Sequence, residues 1–346
     1  ASVSGGPFPY KLDPQHPRFS YPLLTGYVDP NIATPYVQQY SLALQRQVLK
    51  DLSLQVGYVG KGSRNLLLHR DANLPVYTAG QSTIGNVNAR RPIQPGVYGQ
   101  ITMIETASNA NYHSLQFMAD RRFSRGVSIQ FNYTFSKSID EVSDDPSNPV
   151  ELSLVNANSR RYDHAASGLD IRHIANISYL WQMPAFDSLG RIGRSVLGNW
   201  AFNGLMRIQS GDTVNITAGT DTNLDGNSGD RPDVNGKLVV NSSGSRDEQM
   251  RQYFNTSIFS LPRAGTYGSA GRNLLHAPGS FGWNASLAKN IPTRERQQLQ
   301  LRLEAFGVLN HMNPGAPVAV LSNANFGRII NGSGGRVFQV GMKYVF

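Results

Sequence analysis

The sequence predicts an all-β fold, an antiparallel transmembrane β-barrel with about nine long strands. Three observations predict it. Apolar and polar residues alternate with period two along the chain, the alternating runs approach twelve residues, and short turns alternate strictly with long polar excursions. Period-two alternation puts every second side chain on one face of a strand. A soluble sandwich alternates too, but its strands average about five or six residues, whereas a membrane strand needs about 9 to 11.

The elements follow in order. Tyr40, Leu42 and Leu44 alternate with Gln39, Ser41, Ala43 and Gln45; after a Leu49-Lys50-Asp51 turn, Leu52, Leu54, Val56 and Tyr58 alternate with Ser53, Gln55 and Gly57. Segments 36–48 and 50–60 therefore form a hairpin. Leu115, Phe117 and Ala119 belong to a strand over 111–124, and Ser124-Arg125-Gly126 turns the chain into 126–138. There Val127, Ile129, Phe131, Tyr133 and Phe135 make an apolar face against Ser128, Gln130, Asn132, Thr134 and Ser136. Runs at 169–183, 199–211 and 279–290 alternate in the same way around His173 to Trp181, Trp200 to Ile208 and Trp283 to Leu287. Segment 296–310 is rich in helix-favouring residues, yet Leu299, Leu301, Leu303 and Ala305 alternate with Gln300, Arg302 and Glu304, which is a strand period. The last run, 335–346, sets Phe338, Val340, Met342, Tyr344 and Phe346 against Gln339, Gly341 and Lys343.

Short turns fall near 49, 125, 190 and 293, and long excursions at 61–110, 139–168, 212–278 and 311–334. Barrels of the outer membrane have short periplasmic turns and long extracellular loops. The final strand therefore runs inward and leaves Phe346 at the periplasmic side. Counting back, strand 36–48 also runs inward, which places 1–35 outside as an extracellular segment or partial strand. Complete bacterial barrels have an even strand number, so an outgoing strand is expected before residue 36, within Phe8 to Tyr27 or further upstream. No charged and apolar leader follows Ala1, so a signal peptide is expected to have been removed or to lie upstream.

Composition narrows the function classes. The chain has 34 glycines, 40% hydrophobic residues and no cysteine, which excludes disulfide frameworks, thiolate metal sites and cysteine chemistry. The net charge of +9 is dispersed without a basic run, which argues against nucleic acid. No apolar run is long enough for a transmembrane helix, which leaves a barrel untouched.

The candidate site residues lie in the outer excursions. Asp221, Asn223 and Asp225 with Gly226 reproduce the first half of a calcium loop, where oxygen ligands at alternate positions precede a glycine that permits the sharp turn. Pro232 stands where the bidentate Glu would be, so Asp230 or Asp233 would have to replace it; the competing reading is an Asx-turn loop whose carboxylates are solvated or pair with Arg231. Asp170, Arg172 and His173 are expected to make rim contacts rather than acid–base chemistry, and Asp140, Glu141, Asp144 and Asp145 form an acidic cluster whose default is a solvated loop. Arg302 and Glu304 share the lumen face and are expected to be structural. Trp181, Trp200 and Trp283, joined by Tyr40, Tyr58, Tyr133 and Tyr344, are placed as an aromatic girdle.

Taken in order, Thr34-Pro-Tyr-Val-Gln-Gln-Tyr-Ser-Leu, Val56-Gly-Tyr-Val-Gly, Tyr133-Thr-Phe-Ser-Lys-Ser-Ile-Asp, Leu169-Asp-Ile-Arg-His, Gly229-Asp-Arg-Pro-Asp, Gly271-Arg-Asn-Leu-Leu, Leu301-Arg-Leu-Glu-Ala-Phe-Gly-Val-Leu-Asn-His and Gly341-Met-Lys-Tyr-Val-Phe resemble the carboxy-terminal barrel of Oar-like TonB-dependent receptors, the acidobacterial group with an amino-terminal carboxypeptidase-regulatory-like domain. The resemblance implies a barrel of about 22 strands with a plugged lumen, of which residues 36–346 would be the last nine strands. It implies residence in the bacterial outer membrane, contact with its lipid, and coupling to a TonB-type energy complex through a plug that these residues do not contain. It also implies that Met342, Tyr344 and Phe346 form the signal read by the barrel-assembly machinery. The leading expectation is ligand binding and gated uptake, with no enzyme activity, since no nucleophile and base are placed together. The alternative is a structural or adhesive surface protein, a barrel-derived fragment whose open sheet edges pair in a homo-oligomer.

Overall fold

The computed structural model describes residues 21–143, 153–184, 186, 190–242, 244–294 and 297–346. After a short strand β1 (Leu23–Val28), nine strands follow in a single antiparallel meander: β2 (Tyr36–Leu49), β3 (Leu52–Asp71), β4 (Tyr98–Ser124), β5 (Val127–Asp140), β6 (His173–Gln182), β7 (Trp200–Gln209), β8 (Ser280–Arg294), β9 (Gln297–Phe306) and β10 (Val337–Val345). Each pairs with its sequence neighbours, and among the described residues β2 and β10 are the two ends of a sheet that does not close.

Register shows why the alternation dictates one face. Leu42 sits opposite Tyr58, Tyr58 opposite Leu115, and Leu115 opposite Phe135. Lower down, Ala119, Phe131, Ile177 and Met206 stand in one row, as do Phe202, Leu287, Leu303 and Val340. Cross-strand partners project to the same side, so the apolar sets merge into one continuous surface. It lies open, with Leu44 72% and Val340 81% exposed, as a surface solvated by hydrocarbon should. The opposite face carries Asn132, Asn176 and Arg207 in one row and Glu304 beside Gln339 in another.

Strand ends differ from the expectation in informative ways. β3 and β4 continue to Asp71 and from Tyr98, which reduces the first outer excursion to 72–97. Their pairing slips at Ser63/Leu66 and again at Leu66/Leu68, and these bulges break the period-two pattern that would have revealed the extension. β1 pairs with this extension of β4, and does so parallel, so it runs inward and is not an outgoing strand; residues 8–20 of the proposed Phe8 to Tyr27 strand lie outside the described residues. The connection near 190 holds a helix, α1 (Gly190–Leu197). The β4–β5 turn is a two-residue loop with Arg125 at φ +50° and Gly126 at φ +82°, the positive-φ pair of a tight hairpin. A Cβ on Gly126 would collide with the carbonyl of Gln182, which the next strand presents to it.

Substitution Ile177→Arg on the apolar face is expected to cost about 2–4 kcal/mol of folding stability in a bilayer. Asn176→Arg, one residue away on the polar face, should change it by no more than about 0.5 kcal/mol. Urea unfolding in lipid vesicles checks the difference; equal costs would mean that the apolar face does not meet lipid.

Candidate functional site

The hydrophobic core of the chain lies outside the membrane-spanning sheet. Val214, Ile216, Tyr253, Phe254, Phe259, Leu275 and Ile329 are buried together, with Met250, Leu321 and Phe326 packed on them. Phe254, Phe259 and Phe326 meet edge to face with centroids 5.3–5.8 Å apart, the arrangement that aromatic quadrupoles prefer. These residues belong to the connections after β7 and after β9, so two outer loops share one core. They form a folded cap, not separate tethers.

A buried guanidinium joins that cap to the loop after β5. Arg231 is 0% exposed. It donates to Asp163 Oδ1 at 2.6 Å, to the carbonyl of Tyr162 at 2.7 Å and to that of Ala270 at 2.9 Å, with its Cζ 3.8 Å from the centre of the Tyr162 ring. The other Asp163 oxygen accepts the backbone N–H groups of Val155 and Asn156. Arg272 reinforces the junction through Asp140 Oδ1 at 2.8 Å and Ser143 Oγ at 2.5 Å, which ties the cap to the outer end of β5. The excursion 72–97 is joined to the same body by Arg90 to the Leu224 carbonyl and by Tyr77 to the Ala264 carbonyl.

Asp221, Asn223, Asp225 and Asp230 do come together in one turn. Asp221 accepts the N–H groups of Asp225 and Gly226, Asp225 accepts that of Asn227, and Asp230 accepts the N–H and hydroxyl of Thr222 and the N–H of Asn223. Asp233 stands apart and accepts the N–H of Ser269. Among the described residues, no three acidic or histidine side chains converge on a point where a metal ion would sit. Burial pushes the Asp225 carboxyl up to about 6, opposed by its hydrogen bonds from Asn227 and Asn223 and supported by the nearby Asp230 and Asp221. Burial raises Asp230 as well. Tyr267, buried beside the same carboxylates, is pushed up to about 12.

Between the cap and the loop after β5 lies a cavity of about 190 Å³ lined by Glu141, Val155, Asn215, Thr217, Asn227 and Arg272 among others. A second, smaller cleft beside it is lined by His69, Asp71, Arg91 and Asp225. The cavity wall mixes apolar surface with amide, hydroxyl and paired charged groups.

The other expected residues fall as follows. Asp170 is buried at the strand rim, where it accepts from Lys137 Nζ at 3.0 Å and the Ser138 N–H at 2.6 Å, with Arg172 at 3.4 Å. His173 bonds the Tyr133 hydroxyl instead. Asp140 and Glu141 are buried and paired with Arg272 and Arg160, not solvated, and Asp144 and Asp145 lie outside the described residues. Arg302 and Glu304 pair at 3.4 Å on the polar face. Tyr40, Tyr58 and His113 cluster toward the outer side, while Trp181, Trp200 and Tyr344 lie toward the inner ends of their strands. Trp283 is near the outer start of β8 and donates its indole N–H to Tyr179. Met342 and Tyr344 lie on the apolar face of β10 opposite Leu301 and Leu299, and Phe346 is 90% exposed. The Arg231–Asp163 junction was not visible in the sequence, because its members are 68 residues apart and Arg231 sits among nearer carboxylates.

The family described as outer membrane beta barrel domain matches residues 2–339, and the chain belongs to it. It is a protein of the bacterial outer membrane. Among solved structures, it is similar to the outer membrane transporter YddB from Escherichia coli, with a TM-score of 0.51 and 13% identity over 93% of this chain and 34% of that one. A looser similarity, TM-score 0.43 and 10% identity over 93% of this chain and 33% of the other, relates it to the FrpB iron transporter from Neisseria meningitidis. The chain thus spans about a third of the length of the transporters it superposes on. No curated protein matches it in sequence.

Two outcomes test the cap. Arg231→Met strands the buried Asp163 carboxylate and is expected to destabilise the cap by about 3–5 kcal/mol. Arg231→Lys should recover little, because an ammonium cannot reproduce the planar fork; limited proteolysis of the outer loops reads both. The second concerns pH in the absence of divalent ions. Asp225 binds its proton more tightly folded than unfolded, so its contribution favours the turn below its ordinary value of 3.8 and is lost as pH rises through about 6. Amide exchange at Gly226 and Asn227 should therefore be better protected at the acid end of that window, and Asp225→Asn should flatten the dependence.

Proposed function

We propose that this chain is the carboxy-terminal part of an Oar-like TonB-dependent receptor, whose outer cap binds a ligand and whose hydrated lumen passes it when a plug is remodelled. The observation that carries the reading is the cavity between the outer cap and the loop after β5, on the outer side of a sheet with one apolar face and one polar face. The plug and the segment that contacts the energy-coupling complex belong, in this reading, to residues outside the sequence given. The chemistry is recognition and gated passage, without a catalysed reaction, and Met342, Tyr344 and Phe346 serve as the assembly signal. Deleting the gene and, separately, the energy-coupling complex should abolish the same uptake activity in a nutrient panel. Uptake that survives loss of the energy-coupling complex would contradict gated transport.

Calcium is a narrower part of the proposal. Asp221, Asp225 and Asp230 stand in one turn without converging on one point, so a bound ion would draw their oxygens away from the N–H groups they now accept. Equilibrium dialysis should then find one ion per chain, lost in Asp225→Asn; no binding by the native protein removes calcium from the reading.

The two open edges favour a second reading, a surface protein assembled from copies of this fragment. Among the described residues, all of β2 is exposed and it has a strand on one side only. The denatured mass of the native polypeptide separates the two. A receptor should weigh about three times 37.9 kDa, since this chain spans 34% of the transporter it superposes on, whereas self-assembly requires a mass near 37.9 kDa.

A further inference from the structure

We propose that helix α1 is an interfacial anchor seated in the periplasmic phospholipid leaflet of the outer membrane, and that Lys289 is the positioning residue that holds it there. The helix lies in the β6–β7 connection, at the same end of the sheet as the tight turns at 50–51 and 125–126. That is the periplasmic end.

The side of the sheet on which it lies follows from Lys289. This residue stands on the apolar face, opposite Trp200 on one neighbour and Leu301 on the other. A lone ammonium in such a row is unfavourable in hydrocarbon. Here it donates to the carbonyls of Val196 (3.3 Å) and Gly198, which the end of an eight-residue helix leaves unpaired, and lies 5.1 Å from the centre of the Trp200 ring. Its charge complements the negative end of the helix dipole. The Trp200 indole N–H donates to the Val196 carbonyl as well, at 2.9 Å. Both contacts come from lipid-face residues, so the carboxyl end of α1 rests on the lipid side.

What covers the helix follows from its surface and from continuity. Ile192 is 82% and Val196 59% exposed, four residues apart on one face. With about 3.6 residues per turn, position 194 falls on the opposite side of the helix. Exposed apolar residues on one face of a short helix at this end of the sheet are the pattern of a segment lying in the headgroup boundary. The carboxyl end of the helix is fixed to lipid-face residues of β7 and β8, so the surface that Ile192 and Val196 present adjoins the lipid side of the sheet. A helix this short does not hold itself in water, which is why the Lys289 contacts matter.

The test uses the native protein reconstituted in phosphatidylethanolamine–phosphatidylglycerol vesicles, with a fluorophore on Ile192→Cys, Val196→Cys or Arg194→Cys. Labels at 192 and 196 should lose most of their emission to phospholipids brominated on the acyl chains and resist aqueous iodide, and the label at 194 should show the reverse. The Lys289→Met variant should bring the label at 192 to the behaviour of the one at 194. If that variant fails to assemble, Trp200→Phe, which removes only the indole donor, should shift the same label part of the way. Labels at 192 and 196 that iodide quenches as readily as at 194, or that neither quencher reaches, would overturn the anchor. A helix that stays lipid-quenched in Lys289→Met and in Trp200→Phe would overturn the role of Lys289.

Discussion

Hydrocarbon offers a peptide group no hydrogen-bond partner, so every N–H and C=O that enters the bilayer must be paired within the protein. The sheet follows from that constraint. Nine strands in sequential antiparallel order satisfy each other across the membrane, and the period-two pattern then has only one workable sense, apolar to lipid and polar to the interior. Among the described residues the outer sides of β2 and β10 are unpaired, and the same constraint requires partners for them wherever they meet lipid. Ligand passage through a lumen and self-assembly at a surface are two ways of meeting that one requirement.

Outside the bilayer, water restores the ordinary hydrophobic effect, and there the chain builds the core that its sheet lacks. Phe254, Phe259 and Phe326 make the cap cohesive, while Arg231 makes it specific. A buried guanidinium with Asp163, two carbonyls and an aromatic face as partners fits in one geometry and fails badly in others. Three excursions thereby become one body around the cavity. Were a ligand bound there, the site would be formed in advance, whereas isolated loops would have to be ordered on binding, at an entropic cost.

The sheet was legible in the sequence because its determinant is local. Val127 to Phe135 alternate without exception, and Gly126 marks the turn by a backbone conformation that other residues resist. Legibility fails where the pattern is interrupted for a structural reason. The bulges after Ser63 hide the outward extension of β3, and Lys289 interrupts an apolar row because a helix end, absent from any strand pattern, supplies its partners. The site was legible only in part. Spacing brought out the Asp221–Asp230 turn, whose members do meet, but assigned Asp233 to it, although that carboxylate is used by Ser269. Arg231 was placed among its neighbours in sequence, yet its partner comes from another loop, and nothing in the spacing of either segment encodes that encounter.

The claim on which the account rests is that one face of the meander meets lipid and the other does not. A nitroxide scan along β6, residue by residue from His173 to Gln182 in the reconstituted native protein, measures it directly. Collision with oxygen dissolved in lipid should alternate with period two, high at Ile177 and Tyr179 and low at Asn176 and Ser178. A flat profile, or one with water-soluble nickel reaching both sets equally, would contradict the assignment of this sheet to the membrane.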